Sequence, residues 1–169
     1  MKSEVFQTFF GKESLRVLLN GFEDPRTNNW VMRKLPGSPP YFDVLYNEIF
    51  PVDPEKAGAE YRRTLVKGKD GEMEILPHMQ YVQSVIDYWR HREEYRVKGR
   101  VSPYATNDKV KEVLALTEEY FQDIFETLPP KTFASEKEKY EFALKAAQKV
   151  QEKILPHYEK LLEESKKAL

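Results

Sequence analysis

The sequence predicts a mainly α-helical protein, an antiparallel helical bundle with three long helices in its C-terminal half. The first reason is that apolar residues recur at helical spacing through residues 77–169. The second is that six of the seven Gly and six of the eleven Pro lie in residues 1–76, where they interrupt regular structure. We therefore expect one domain over residues 1–169, with an irregular part of short helices and loops before the bundle. Two domains divided near residues 68–77 are the alternative.

The first two long helices are expected over residues 77–97 and 108–128. Pro77 suits a first helical position, where no backbone N–H is needed. Asn107 is the expected N-cap of the second helix, and Pro129 should end it. The second helix also has a continuous apolar face, made by Val110, Val113, Leu114, Thr117, Tyr120, Phe121, Ile124, Phe125 and Leu128.

The third long helix begins with a capping box, in which Ser135 and Glu138 would satisfy free backbone donors reciprocally. Its apolar stripe continues towards the C-terminus, although Pro156 should break or kink the helix. The connections at residues 98–107 and 129–134 are short, so neighbouring helices should run antiparallel. Three such helices leave one apolar side open, and we expect part of the N-terminal half to cover it.

The N-terminal half is expected to contain short helices and a small β-hairpin. Gly21 should close a helix over residues 12–20, and two more short helices are expected over residues 40–50 and 54–63. The hairpin should lie near residues 64–76, because Asp70 and Gly71 stand as a turn pair between alternating segments.

Residues 22–41 are expected to form an extended arm, because prolines and a Pro-Gly pair forbid long regular structure there. The arm either folds back over its own bundle or docks on a partner or a second copy of the chain. Trp, Met and Arg are enriched at the centres of protein interfaces. The candidate partner contacts are therefore Trp30, Met32, Arg33 and Leu35.

Residues 88–100 combine Arg and Lys with aromatic side chains, a pattern that can hold phosphates and stack on bases. The candidate nucleic-acid or phosphate contacts are Tyr88, Arg90, Arg92, Tyr95, Arg96, Lys98 and Arg100. Three of these arginines would share one helical face if the helix continued to residue 100. The plainer interpretation is a solvated helix end, where cations favour the negative pole of the helix dipole.

An acidic stripe opposes the apolar face of the second long helix and consists of Glu112, Glu119, Asp123 and Glu126. These carboxylates would coordinate a cation or contact a basic partner. The alternative is that they form a solvated helix face.

Recognisable catalytic machinery is missing from the sequence, so we expect no catalytic residue, cofactor or metal ligand. The chain has no Cys, and its histidines are His78, His91 and His157, without the spacing of a zinc or di-iron site. No glycine-rich phosphate loop or nucleophile elbow is present. An enzyme with an unconventional site, around His78 or His91, is the remaining enzymatic alternative.

These observations predict a non-enzymatic interaction protein, an adaptor or a small structural subunit of a larger assembly. The expected partner is a protein or a second copy of the chain, and a nucleic-acid-binding module is the alternative. A net charge of −1 gives no bulk attraction to nucleic acids or anionic membranes. No apolar run is long enough for membrane insertion, and the N-terminus does not resemble a signal peptide. A cytoplasmic location is therefore expected, although a mature organellar matrix protein would look the same.

Overall fold

The computed structural model describes residues 12–49, 65–67 and 70–168. The predicted mainly α-helical class is confirmed, and a two-stranded antiparallel sheet accompanies the helices. The helices and strands, in chain order, are α1 (Glu13–Lys34), α2 (Pro39–Ile49), β1 (Leu65–Lys67), β2 (Met73–Ile75), α3 (Pro77–Arg90), α4 (Arg92–Lys98), α5 (Asp108–Thr117), α6 (Phe121–Phe125), α7 (Glu136–Lys149) and α8 (Leu155–Ala168). A 3₁₀ turn, Glu118–Tyr120, links α5 to α6, and a π-helical turn, Val150–Ile154, links α7 to α8. Among the described residues, no helix combines the length and the apolar character needed to cross a membrane.

Helix α1 is much longer than the sequence suggests, because it runs through both Gly21 and Pro25. The expected stop at Gly21 and the expected extended arm over residues 22–41 are therefore wrong. An interior Gly and Pro cost a helix roughly 1 and 3 kcal/mol, whereas each buried Leu or Phe contributes roughly 1.5–3 kcal/mol. The buried side of α1 offsets that cost, since it carries Leu15, Leu18, Leu19 and Phe22 before the proline and Arg26 and Asn29 after it.

Helix α3 is the central element of the molecule, and every residue from 80 to 87 is buried. It packs against α1, α5 and α8, so α1 covers the side that the three C-terminal helices leave open. Gly21 allows the close approach of α1, because a Cβ at this position would lie 2.8 Å from Cγ1 of Val82. The expectation that the N-terminal half covers the bundle is thus confirmed, by a helix rather than by an arm.

Each of the three predicted long helices is interrupted. The first breaks at His91, where the backbone leaves helical geometry, and α4 follows at a changed direction towards Gly99, which ends it in the left-handed region (φ 63°). The second is interrupted at Thr117, whose buried hydroxyl donates to the Val113 carbonyl at 2.7 Å and lies 2.8 Å from the Tyr81 hydroxyl. Such bonds to the carbonyl four residues back bend helices.

The third helix passes Pro156 without ending. A π-helical turn, in which the hydrogen bonds span five residues, comes immediately before it. Proline has no N–H to donate and crowds the preceding turn, and the wider π turn lies where this would disturb the helix. The predicted caps are confirmed: Asn107 accepts from the Lys109 N–H at 2.8 Å, and Ser135 accepts from the Glu138 N–H at 3.2 Å. The Glu138 carboxylate lies 3.4 Å from the Ser135 hydroxyl rather than on the Ser135 backbone N–H, so only the Ser135 half of the predicted capping box is confirmed.

The predicted hairpin is confirmed as an antiparallel pair in which Leu65 lies opposite Ile75 and Lys67 opposite Met73. Gly71 takes a positive φ of 80° at the turn. The expected short helix over residues 40–50 is confirmed as α2, which ends at Ile49. The expected helix over residues 54–63 lies outside the described residues.

An aromatic cluster occupies the middle of the core, where α1, α3, α6 and α8 meet. Phe121 is fully buried, and its ring centroid lies 5.4 Å from that of Phe22 and 6.2 Å from that of Tyr81. Tyr81 in turn lies 5.9 Å from Tyr158 on α8. On the predicted apolar face of the second long helix, Val113 is buried like Phe121, and Leu144, on the apolar stripe of the third, is half-buried.

Candidate functional site

A groove lies between two segments that follow one another in the chain and form its two walls. One wall is α4 with the end of α3 and the loop after Gly99, and the other is α5 with the 3₁₀ turn. An inner, mainly apolar cavity of about 330 Å³ opens into a wider polar outer part. Both parts are lined by Tyr88, Tyr95, Arg100, Ala115 and Glu118, and we call the whole the tyrosine groove.

Aromatic rings form one side of the tyrosine groove. The ring centroid of Tyr88 lies 4.9 Å from that of Tyr95 and 5.2 Å from that of Phe121, to which it is nearly perpendicular. Phe121 belongs to the buried core, whereas the two tyrosines are half-buried. The groove therefore has an aromatic floor that is continuous with the core.

A buried carboxylate holds this wall together. Asp87 is 4% exposed and accepts a hydrogen bond from the Tyr95 hydroxyl at 2.6 Å. Arg100 donates to both of its oxygens, at 2.9 and 3.0 Å, and donates to Glu94 at 3.0 Å. The hydrogen bond to Asp87 raises the pKa of Arg100, while burial and the same carboxylate raise the pKa of Tyr95. These hydrogen bonds connect Tyr95 on α4 and Arg100 after α4 to Asp87 on α3, across the break at His91.

The arginines expected to contact nucleic acid are mostly engaged with carboxylates. Arg96 pairs with Glu93 at 2.7 Å, Arg92 lies 4.0 Å from Glu126, and Arg100 is held by Asp87. Helix α4 ends at Lys98, so the expected single row of Arg92, Arg96 and Arg100 on one helix does not form. A continuous cationic helix face is therefore absent from this part of the described chain.

The other residues of this segment that were predicted to contact nucleic acid or phosphate have different neighbours. Arg90 donates to the Asn47 side chain at 2.6 Å and lies over the ring of Tyr46, with its guanidinium carbon 5.9 Å from the ring centroid. Lys98 is exposed and makes no ion pair within the described ranges. Tyr88 and Tyr95 contact each other, so their rings do not form two separate stacking platforms.

The residues predicted to contact a partner protein also lie in different environments. Trp30 is half-buried beneath the Lys34 ammonium, which lies 5.2 Å from its ring centroid, and Met32 packs against the core. Arg33 donates to the Pro129 carbonyl at 2.8 Å. Leu35 is 61% exposed, in the turn after α1. Met32 and Arg33 thus contact the bundle, whereas the contacts of Trp30 are with cations of its own helix.

An exposed apolar face on α2 was not predicted from the sequence. Tyr41, Val44 and Leu45 are 77%, 66% and 50% exposed, and we call them the α2 stripe. The opposite side of α2 packs on Trp89, through Phe42 and Tyr46, at centroid distances of 6.5 and 5.4 Å. The available signal was an apolar residue on nearly every side of a short helix, which is unusual for a surface helix.

The residues considered for an unconventional enzyme are bound to structural partners. Nδ1 of His78 lies 2.8 Å from Oγ of Ser165, and that hydroxyl also donates to the Leu161 carbonyl and accepts from the His78 backbone N–H. Ser165 is buried, so this contact joins the first turn of α3 to the last turns of α8. His91 lies between Asp87 and Glu94, at 3.8 and 3.6 Å.

The acidic stripe is largely neutralised by neighbouring cations. Glu112 pairs with Lys109 at 3.2 Å, and Asp123 pairs with Lys149 at 2.9 Å. Glu126 lies 3.8 Å from Arg33 on α1 and accepts a hydrogen bond from Asn29. Within the described part of the chain, no three acidic or histidine side chains converge as metal ligands would.

Comparison of the chain with protein-family models, with curated proteins and with solved structures finds no match in any of the three.

Proposed function

We propose that this protein is a non-enzymatic interaction protein, an adaptor or a small structural subunit, which docks one partner protein on the α2 stripe. The observation that supports this most directly is the exposure of Tyr41, Val44 and Leu45 on a helix whose other side is already packed. Large apolar side chains grouped on one exposed face are typical of protein-interaction surfaces. Leu35, 61% exposed in the preceding turn, adds to the apolar surface of this region.

The charges of α2 indicate the chemistry of the partner. Helix α2 carries Asp43 and Glu48 and contains no Lys or Arg. The cations at the end of α1 are engaged elsewhere, since Arg33 donates to Pro129 and Lys34 lies over the rings of Trp30 and Phe133. A partner segment with apolar side chains flanked by Lys or Arg would complement this surface.

Self-association through the same face is less favourable. A two-fold contact brings the same patch of both subunits together, so two acidic α2 faces would meet each other. Like charges placed opposite one another across an interface oppose association. The nucleic-acid-binding alternative has less support, because most of its arginines are paired with carboxylates.

The test is photo-crosslinking in the cells that make the protein, with p-benzoylphenylalanine in place of Tyr41. We expect one dominant adduct with a different protein, whose crosslinked peptide is apolar and flanked by Lys or Arg. The variant Val44→Asp with Leu45→Asp should abolish the adduct, because it places charge at the centre of the stripe.

Two controls match these variants. The same crosslinker at Tyr140, an exposed tyrosine on α7, should give no such adduct, and Val97→Asp, on the exposed face of α4, should leave the Tyr41 adduct intact. An adduct with a second copy of the chain, with a nucleic acid or with an acidic peptide would contradict the proposal, as would equal labelling from Tyr140 or no adduct at all.

A further inference from the structure

The cations of the tyrosine groove are paired with carboxylates, which the sequence does not suggest. Four cationic side chains line it, namely Arg92, Arg96, Arg100 and Lys111. Each of the four has a carboxylate within 4.0 Å. Seven carboxylates either line the groove or pair with those cations, namely Asp87, Glu93, Glu94, Asp108, Glu118, Glu119 and Glu126. Of these seven, Glu93, Glu118 and Glu119 line the groove itself, the others lie beside its cations, and Glu126 is shared with Arg33.

Glu118 is one of two lining carboxylates without an ion pair in the described part of the chain, the other being Glu119 in the outer part of the groove. Glu118 lines both parts of the groove. Burial raises its pKa, and its charge contributes to raising the pKa of Tyr88 on the opposite wall. Glu118 therefore lines the same groove as Tyr88 and Tyr95, and its side chain is exposed at the opening of the groove.

A carboxylate beside tyrosine rings is a combination that recognises cations. The face of an aromatic ring attracts an ammonium group, and the attraction increases where water is excluded. The inner cavity offers an apolar space beyond this point, lined by Phe121, Leu114, Ala105 and Val101. A phosphate or carboxylate ligand would instead have to displace an acidic partner from one of the arginines.

From this geometry we infer that the tyrosine groove binds a small organic ammonium, with the charged nitrogen between Glu118 and the Tyr88–Tyr95 pair and an apolar body in the inner cavity. A cavity of about 330 Å³ holds a ligand of about ten non-hydrogen atoms, at roughly 30 Å³ for each water-sized atom. No residue of the groove belongs to the α2 stripe, so this binding is independent of the proposed docking of a partner protein.

The test is an NMR titration of the ¹⁵N-labelled protein with three ligands that share one phenylpropyl skeleton. They are 3-phenylpropylamine as the cation, 3-phenylpropanamide as the neutral compound and 3-phenylpropanoate as the anion, with inorganic phosphate as a fourth probe. We expect 3-phenylpropylamine to shift the backbone amides of Tyr88, Tyr95 and Glu118, with a dissociation constant of about 1 mM, the strength that a ligand of this size can reach. The amide should bind more weakly, and the two anions should cause no shifts there.

Two variants distinguish binding at this site from a general attraction of cations to the protein. Glu118→Gln should weaken amine binding about five-fold, which corresponds to about 1 kcal/mol. Ala115→Phe should abolish it, because an exposed alanine that lines both parts of the groove is replaced by a side chain that fills them. Glu112→Gln is the matched control, since Glu112 lies on α5, which leads into the turn that carries Glu118, is paired with Lys109 and is outside the groove, and it should change nothing.

The inference is overturned if 3-phenylpropanoate or phosphate binds as tightly as the amine. It is equally overturned if Glu118→Gln has no effect, if the shifts fall outside the groove, or if none of the probes shifts these amides at 20 mM, about twenty times the expected dissociation constant.

Discussion

Gln83 is 1% exposed in the middle of α3, and neither its amide nitrogen nor its amide oxygen has a hydrogen-bond partner within the described part of the chain. Burying an amide without partners costs roughly 1–3 kcal/mol. Replacing it by an apolar side chain of similar size removes that cost, so Gln83→Leu should raise the free energy of unfolding by about 1–2 kcal/mol. Urea denaturation monitored by circular dichroism measures this.

Gln80 supplies the matched control, because it is equally buried on the same helix but fully partnered. Its amide nitrogen donates to the Ile75 carbonyl at 2.7 Å, and its oxygen accepts from the backbone N–H groups of Thr106 and Asn107 at 3.1 and 3.0 Å. Gln80→Leu should therefore lower the free energy of unfolding by about 2 kcal/mol or more. If Gln83→Leu destabilises the protein to the same extent, the Gln83 amide is satisfied in solution.

The titration of His78 should make the free energy of unfolding depend on pH on the acid side of neutrality. Burial lowers the pKa of His78 below its usual 6.5, so the unfolded chain binds a proton where the folded protein does not. The contribution of neutral His78 to the free energy of unfolding is therefore fully present above pH 6.5. It decreases as the pH falls from 6.5 towards the lower pKa that His78 has in the folded protein. In urea denaturation between pH 7.5 and 5, His78→Gln should show a shallower loss of stability than the natural sequence. Equal slopes for the two proteins would contradict this assignment.

At the scale of single elements, the approach of α1 to α3 depends on Gly21. Gly21→Ala should gain about 1 kcal/mol of helix propensity, but its Cβ would lie 2.8 Å from Cγ1 of Val82. Since overpacking costs typically 1–3 kcal/mol, we expect a net loss of stability of about 1 kcal/mol. Thermal or urea denaturation of the variant checks the sign of this change.

A double-mutant cycle isolates the contact between α1 and α3. Combined with Val82→Ala, the Gly21→Ala change should cost much less, because the methyl group that it meets has been removed. Asn20→Ala, at the neighbouring exposed position of α1, should show the gain in helix propensity without the loss. Additive effects of Gly21→Ala and Val82→Ala would mean that the two helices are not in close contact there.

At the scale of the whole molecule, the fold depends on the aromatic cluster around Phe121. This ring is fully buried and contacts Phe22 on α1 and Tyr81 and Tyr88 on α3. Phe121→Ala should cost about 3–5 kcal/mol, because it leaves a cavity where three helices meet. Phe133→Ala, at a side chain that is 85% exposed, should change stability by less than about 0.5 kcal/mol. A loss below 1 kcal/mol for Phe121→Ala would mean that this cluster does not hold the bundle together.

The helical class, the caps and the hairpin could be predicted because each depends on residues that are close in the chain. Asn107 and Ser135 act on backbone N–H groups two and three residues further on, and Gly71 takes its positive φ within its own turn. The apolar periodicity that marks α5 and α7 is equally local. For these elements, local preference and tertiary packing favour the same structure.

The candidate surfaces could be predicted only in part. Residues 88–100 were predicted as a candidate segment for nucleic-acid or phosphate contact, and they form one wall of the tyrosine groove, while the ligand of that segment stays a prediction. The sequence does not show that Asp87 and Glu94 would take Arg100, or that Glu118 would face Tyr88 from another helix. The α2 stripe was missed because exposure is a property of the packed molecule.

The sequence by itself determined that the chain is helical, where α5 and α7 begin, and where the hairpin turns, since these follow from hydrogen bonds and periodicity within a few residues. Only the tertiary structure decided that α1 continues through Gly21 and Pro25, because that depends on burying its apolar side against α3 and on the space beside Val82. It also decided the charge of the tyrosine groove, because a charge acts through space on whatever lies within a few ångströms. The partners of Arg92 and Arg33, Glu126 and the Pro129 carbonyl, are far away in the chain, and no local pattern identifies them.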